Sequence, residues 1–294
     1  MEHLTFPQSA LEAAAAGRLE DPAVLAFREE VFTSPGWIDH GLAVVDGIPV
    51  ADPDMASQYA TGISSALGRL LPQDGAGALV REVKYRGVKL GEGATGRYSD
   101  SREGGQFHTD GPHRPDMAPD WFALLCIRQA RVGGGLILVP TERIIRGLDA
   151  DSLAVLQEPF LFDQREDGVP PVPRPVLVPQ PQGPWHVNYL REYIELGHRH
   201  PLGTPLTDRQ VHALDRFDQE VASAVADPDR IEVKLAPGQL AVIDNRRLLH
   251  GRTTFGDDPQ DRDRLMLRTW IRQLAPAASA PRASSAPAGI ASGR

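Results

Sequence analysis

Between about residue 79 and residue 272, short apolar runs alternate with glycine and proline, and this spacing constrains the fold more than any other feature. Runs rich in β-branched and aromatic residues between turn formers are typical of strands. We predict strands at Leu79–Tyr85, Phe122–Ile127, Leu136–Val139, Val176–Val178, Ile231–Leu235, Leu240–Ile243 and Leu265–Ile271. Glycine and proline (28 and 26 of 294 residues) make up about 18% of the chain, against roughly 12% in ordinary globular proteins. This excess argues against a helical bundle or coiled coil.

The first 78 residues have a helical pattern instead. Asp21-Pro22 and Asp52-Pro53 are each typical of a helix start, because aspartate caps free N–H groups and proline suits the first turn. Gly41–Val50, between them, is predicted as a pair of strands, and Thr207 is predicted to cap a later helix. We therefore predict one mainly β domain with flanking helices (α+β), a sandwich or jelly roll over residues 1–274, with the mostly helical residues 1–78 packed on it.

Two segments differ from the rest of this domain. Residues 168–184 contain seven prolines and are predicted to form an extended arm or lid, since strands continue on both sides. Residues 275–294 are of low complexity and are predicted to be a disordered tail.

Charge and cysteine content limit the partners. The net charge of −8 argues against nucleic acid, whose phosphates require a basic face. No apolar run approaches the length of a membrane span, and the start of the chain shows no secretory signal, so we predict a cytoplasmic location. The single cysteine, Cys126, excludes an internal disulfide. Nothing in the sequence predicts an oligomeric state.

His108-Thr109-Asp110 is the sharpest local motif. If this tripeptide is a strand, His108 and Asp110 point to the same side, and an imidazole and a carboxylate can then share a divalent metal. Such a tripeptide by itself is more often a surface turn. His250, after the apolar strand Leu240–Ile243, can supply a third ligand. Two histidines and one carboxylate suit non-haem Fe(II), because three coordination positions remain open.

The run from Asp263 to Arg272 is predicted as a strand with an arginine at every fourth position, 264, 268 and 272. Alternation places Arg264 and Arg268 on one face and Leu265 on the other. Two arginines directed into one pocket are unfavourable unless each meets an anion. Taken alone, the strand is more typical of a solvated basic edge.

Together these motifs resemble the taurine dioxygenase (TauD/TfdA) superfamily, specifically its clavaminate synthase-like branch. The resemblance extends from about Gly41 to Arg272. It is strongest in RYSDSREGGQFHTDGPH (97–113) and in KLAPGQLAVIDNRRLLHGRTTF followed by DRLMLR (234–268).

This resemblance implies a double-stranded β-helix, a cupin-like jelly roll, in which His108, Asp110 and His250 hold Fe(II). It implies that Arg264 binds the distal carboxylate of 2-oxoglutarate and that O2 is the other cosubstrate. Arg268 matches a position that contacts a substrate anion in several relatives. A structural ion pair with a carboxylate at the rim is the alternative for this residue.

The sequence departs from the family at Leu136, where many relatives have a threonine whose hydroxyl also binds 2-oxoglutarate. Either one hydrogen bond is missing, or another hydroxyl such as that of Thr141 or Thr253 replaces it.

Further candidates for substrate contact are Gln106, which shares its strand face with His108, and Asn188 and Arg191, which follow the proline-rich arm. His113 is better explained as a loop histidine. The run His198–His200 is better explained as a solvated loop.

The resulting hypothesis is an Fe(II)- and 2-oxoglutarate-dependent oxygenase that hydroxylates a small substrate. An amino acid or an amino-acid- or peptide-derived metabolite of specialised metabolism is the predicted substrate class. Desaturation, cyclisation and epoxidation by the same iron site remain open. The alternatives from other classes are a zinc or manganese enzyme on the same barrel and a non-catalytic 2-oxoglutarate sensor.

Overall fold

The structure, a computed structural model, describes residues 3–88, 98–166, 168–256 and 264–274. The predicted tail, 275–294, lies outside the described residues. The helices are α1 Gln8–Ala15, α2 Pro22–Thr33, α3 Pro35–His40, α4 Pro53–Leu67, α5 Thr141–Ile145, α6 Ala150–Val155, α7 Arg191–Arg199 and α8 Asp208–Ala226. The strands are β1 His3–Thr5, β2 Leu42–Asp46, β3 Arg69–Leu71, β4 Val80–Val83, β5 Gly105–His108, β6 Trp121–Arg128, β7 Leu136–Pro140, β8 Pro159–Phe162, β9 Val172–Pro175, β10 Leu177–Val178, β11 His186–Val187, β12 Ile231–Val233, β13 Leu240–Asp244, β14 Leu248–Arg252 and β15 Leu265–Arg272.

Two sheets organise the molecule. The larger has the order β1-β2-β13-β6-β15-β3, with β4 also paired to β15, and the smaller has the order β12-β7-β14-β5. Apart from the parallel pair β1–β2, all these neighbours are antiparallel. The result is a mixed helix-and-sheet architecture in which strands that are distant in sequence lie side by side.

Strand β15 shows why the layers form. Leu265, Leu267 and Ile271 pack in one hydrophobic cluster with α1, α2 and α4. Met266 and Trp270, on the opposite face, pack in another cluster between the two sheets. The predicted alternation is therefore confirmed, and it makes β15 central because both of its faces are buried.

The predicted helix starts are also confirmed. The carboxylates of Asp21 and Asp52 accept hydrogen bonds from the first turns of α2 and α4. Thr207 forms a full capping box with Gln210 at the start of α8. A buried hydrogen bond of 2.7 Å between the Ser64 and Thr269 hydroxyls joins α4 to β15, so the helical N-terminal region packs directly on the larger sheet.

The predicted pair of strands over Gly41–Val50 is wrong. This segment contributes a single strand, β2, and the chain leaves the sheet at Gly47, whose φ is 83°.

The proline-rich segment 168–184 contains extended strands, as expected for an arm, and is anchored to the rest of the protein. Its strands β9 and β10 pair with β8 and β11, and Val176 and Leu177 are fully buried. Proline tolerates such short edge pairings, because each uses few backbone N–H groups.

Within the described residues, no helix is both long enough and apolar enough to cross a bilayer.

Candidate active site

His108 and His250 face each other across adjacent strands of the smaller sheet. They are direct partners in the β5–β14 register, and their ring centroids are 4.4 Å apart. Asp110 follows two residues after the end of β5. One ligand atom from each of the three side chains lies within 4.8 Å of the others. The antiparallel pairing therefore brings His250 next to His108 and Asp110, although His250 lies much later in the sequence.

The histidine environments fit a metal-binding role. The Nδ1 of His108 is 2.7 Å from the carbonyl oxygen of Gln106, an arrangement that leaves Nε2 for a metal. The Nδ1 of His250 is buried and has no hydrogen-bond partner within the described chain, and an orphaned buried nitrogen suggests a missing ligand. Burial lowers the pKa of His108, and burial together with the nearby His108 holds the pKa of His250 well below 6.5. Both rings are then neutral at pH 7, the form that binds metals.

Hydrogen bonds from neighbouring side chains fix both the carboxylate and the backbone of Asp110. Its Oδ1 accepts a hydrogen bond of 2.7 Å from Arg268, and its Oδ2 accepts one of 2.9 Å from the Trp270 indole. Burial alone would raise the pKa of Asp110, but the positive charge of Arg268 and the two histidines bring it below its ordinary value. The side chain of Asn245 accepts from the Asp110 N–H and donates to its carbonyl. The carboxylate is therefore ionised and fixed in direction.

Arg268 forms an ion pair with Asp110 here. Its Nε also donates to the Gln73 amide oxygen at 2.9 Å, and Gln73 in turn donates to the Arg268 carbonyl at 2.7 Å. The structure thus contains an ion pair at this residue, but its partner is the buried candidate metal ligand Asp110 and not a carboxylate at the rim. Gln73, Trp270 and Asn245 were missed by sequence reasoning, because each belongs to the site only through long-range contacts.

Arg264 borders a small cavity of about 60 Å³ beside the histidines, and Arg252 and Leu136 line the same cavity. Only 7% of Arg264 is exposed. Its Nε donates to the Gln129 amide oxygen at 3.2 Å, but no carboxylate of the described residues pairs with it. Burial, with the charge of Arg252, lowers the pKa of Arg264 to about 10. This cavity is therefore positively charged and suited to an anion.

Glycine is required beside Arg264. Gly133 and Gly134 have φ values of 73° and 74°, which favour glycine. A Cβ at Gly133 would lie 1.9 Å from the Thr254 carbonyl oxygen, and one at Gly134 would lie 3.1 Å from Arg264 Nε. The run of glycines lets the chain pass close to the arginine.

The two threonines proposed to compensate for Leu136 lie elsewhere. The Thr141 hydroxyl donates to the Arg247 carbonyl, and the Thr253 hydroxyl accepts from the Gly135 N–H. Neither residue lines the cavity at Arg264. The prediction that one of them replaces the missing hydroxyl is wrong.

A larger cavity of about 320 Å³ opens from the candidate metal ligands toward solvent. Arg114, Arg165 and Glu192 contribute charges of both signs to its wall, and Gln106 lies exposed at its rim. His113 lies in a turn, as predicted, and is buried in the same wall.

Asn188 and Arg191 do not line this cavity. The Asn188 amide donates to the carbonyl of Pro175, within the proline-rich segment. Arg191 begins α7 and forms ion pairs of 2.8–2.9 Å with Glu195, Asp215 and Asp218. The polar groups of these side chains are therefore used within the scaffold, and a contact of either residue with substrate stays a prediction. His198 likewise lies in α7, not in a solvated loop, and its ring accepts from the Leu161 N–H.

These features match a known family. Residues 17–270 match the family described as "Taurine catabolism dioxygenase TauD, TfdA family", and the chain belongs to this family.

The individual relatives have low sequence identity to this chain. The chain is 28% identical over 243 residues to FR-33289 synthase of Streptomyces rubellomurinus (strain ATCC 31215), covering 79% of this chain and 68% of that protein. It is 31% identical to the uridine-5'-phosphate dioxygenase of a Streptomyces species, over 55% of this chain and 60% of the relative. A crystal structure of asparagine oxygenase in complex with Fe(II), 3-hydroxyasparagine and succinate has a TM-score of 0.66 at 21% identity, covering 92% of this chain and 94% of that one.

Proposed function

We propose that this protein is an Fe(II)- and 2-oxoglutarate-dependent oxygenase that hydroxylates an unactivated C–H bond of a small molecule. One observation carries the proposal. His108, Asp110 and His250 converge within 4.8 Å, beside a buried Arg264 that has no carboxylate partner among the described residues. Family membership and the Fe(II) and succinate of the asparagine oxygenase structure support it.

We also propose that the fold is a double-stranded β-helix. Two facing antiparallel sheets with an apolar interior, and potential metal ligands at one end of the smaller sheet, support a double-stranded β-helix. Strands β5 and β14 of the smaller sheet supply both histidines.

The chain's own residues would place the reactants. Fe(II) with bound 2-oxoglutarate supplies, on reaction with O2, an oxidant for unactivated C–H bonds, and yields succinate and carbon dioxide. His108, Asp110 and His250 would hold the metal, and the Gln106 carbonyl fixes the ring of His108. Arg264 would pair with the distal carboxylate of the cosubstrate, since a guanidinium binds carboxylates in a bidentate manner. The apolar interior between the sheets excludes water from this pair.

The proposed substrate is an amino acid or an amino-acid- or peptide-derived metabolite of specialised metabolism. The charges of both signs from Arg114, Arg165 and Glu192 in the larger cavity suit a zwitterion. The name of the uridine-5'-phosphate dioxygenase supports a small polar substrate, and the 3-hydroxyasparagine bound to asparagine oxygenase supports an amino acid. A contact between Arg268 and a substrate anion stays a prediction, as does the cytoplasmic location.

Succinate formation tests the function. The full-length protein is loaded with Fe(II) without oxygen and then given 2-oxoglutarate, air and a panel of amino acids, with Asp110→Ala as the matched control. We expect succinate and a hydroxylated product from the wild type only. Binding of 2-oxoglutarate without any succinate across the panel would favour a sensor over an oxygenase.

A further inference from the structure

Tyr98 places a buried hydroxyl beside the anion cavity. It lines the same cavity as Arg264 and Leu136. Its Oη is shielded from solvent, and no described group accepts its proton. The Arg252 backbone N–H is directed at the oxygen. A buried hydroxyl without an acceptor is unfavourable, and in a native protein it points to an absent ligand or water.

The ring of Tyr98 is held in place by the residues around it. The guanidinium carbon of Arg252 lies 4.3 Å from the ring centroid, and Arg252 Nη2 donates to the Ser101 carbonyl oxygen. Asp100, in the same short 3₁₀ turn, forms an ion pair with Arg81 at 3.1 Å. This turn is therefore tied to both sheets, and the hydroxyl has a defined position.

The Tyr98 hydroxyl is in the protonated form that can donate a hydrogen bond. Burial raises the pKa of Tyr98 above its ordinary value, although the positive charges of Arg252 and Arg264 oppose this effect. At neutral pH the phenol keeps its proton. The other hydroxyls considered for this role, those of Thr141 and Thr253, are engaged outside the cavity.

We infer that the Tyr98 hydroxyl donates a hydrogen bond to the same carboxylate that Arg264 binds, and so supplies the contact that Leu136 cannot make. The inference rests on the proposed function, because the carboxylate is the distal one of 2-oxoglutarate. Tyr98 thereby becomes a cosubstrate-binding residue, and the turn Tyr98–Asp100 becomes a component of the binding site.

Calorimetry on the Fe(II)-loaded full-length protein without oxygen tests this by binding, not turnover. The probes are 2-oxoglutarate and 2-oxopentanoate, which has the same chain length and keto acid but lacks the distal carboxylate. Tyr98→Phe removes only the hydroxyl. We expect it to weaken 2-oxoglutarate binding about 10-fold or more, as for a lost hydrogen bond to a charged group, and to leave 2-oxopentanoate binding within about twofold.

Two further variants sharpen the result. Tyr59→Phe, which removes the hydroxyl of a buried tyrosine on α4 outside this cavity, should bind 2-oxoglutarate as the wild type does. Tyr98→Phe combined with Leu136→Thr should recover some of the lost affinity, since the threonine places a hydroxyl in the same cavity. Thermal midpoints confirm that each variant is folded.

The outcomes separate the two proposals. If the wild type does not bind 2-oxoglutarate, the proposed function fails and this inference fails with it. If the wild type binds and Tyr98→Phe binds equally well, only the role of Tyr98 is wrong. An equal loss for both probes would also overturn it, because the hydroxyl would then act on something other than the distal carboxylate.

Discussion

The guanidinium groups of Arg264 and Arg191 lie in contrasting electrostatic environments. Arg264 is 7% exposed, and no carboxylate of the described chain pairs with it. Arg191 forms ion pairs with three carboxylates between α7 and α8. Burial lowers the pKa of Arg264 to about 10, whereas hydrogen bonds to Asp215 and Glu195 outweigh burial and raise that of Arg191.

The difference teaches how to separate a binding residue from a scaffold residue. A buried charge without a partner is unfavourable for the folded protein, so its presence in a cavity indicates a ligand of opposite charge. A charge that is fully paired within the protein has little capacity left for a substrate. Both arginines were candidates from sequence, and only their partners distinguish them.

Removing a metal ligand should have the largest effect. We expect His108→Ala and Asp110→Ala to reduce bound Fe(II) from about one per chain to near zero, since each removes one of the three protein ligands of this site type. The weak visible absorption of the Fe(II)–2-oxoglutarate complex should disappear. Metal analysis of the purified proteins and an anaerobic absorption spectrum measure this. An unchanged band would contradict the ligand assignment.

Arg264→Ala should have the next largest effect. Loss of the charged partner should raise the 2-oxoglutarate concentration needed for half-maximal activity by about 100-fold or more. Arg191→Ala, the matched control, should leave this concentration within about twofold. Steady-state kinetics at saturating substrate give both values. Equal effects from the two variants would remove the distinction between the arginines.

The candidate metal centre should also make the metal-free protein sensitive to acid. His108 and His250 have pKa values below 6.5 when folded, so the unfolded chain binds more protons below that pH and stability falls as pH falls. Each histidine contributes up to about 1.4 kcal/mol between pH 7.5 and pH 5.5. Urea unfolding at the two pH values measures this. His250→Asn should show a smaller decrease, and an identical decrease would refute the assignment.

Arg191→Ala should have the smallest effect. We expect it to lower the stability of the folded protein and to leave its activity unchanged. Its carboxylate partners are each more than a third exposed, so we expect a loss of about 1 kcal/mol and a thermal midpoint lowered by about 2–4 °C. Arg209→Ala, which removes an exposed ion pair between Arg209 on α8 and Asp151 on α6, should have a smaller effect still. Differential scanning calorimetry gives the midpoints, and a loss of substrate turnover in Arg191→Ala would contradict its scaffold role.

The sequence predicted much of this molecule where local physics decides. The caps at Asp21, Asp52 and Thr207 lie at true helix starts, because capping depends on a few neighbouring residues. The alternation of Leu265 and Met266 on β15 is correct, because successive side chains on a strand point to opposite faces.

The same reasoning does not identify partners that come from far along the chain. Asn188 and Arg191 follow the proline-rich arm, yet contacts with the Pro175 carbonyl and with the α8 carboxylates use their polar groups. The buried Val176 and Leu177 keep the arm in the core. None of these contacts leaves a local pattern in the sequence.

By itself, then, the sequence determined which residue types are available for a metal and an anion, and on which strand faces they lie. The tertiary structure decided which of them meet. The β5–β14 register sets His108 against His250, and packing between the sheets leaves Arg264 and the Tyr98 hydroxyl facing one cavity. Such contacts depend on burial and on strand pairing between distant segments, and both properties exist only once the chain has folded.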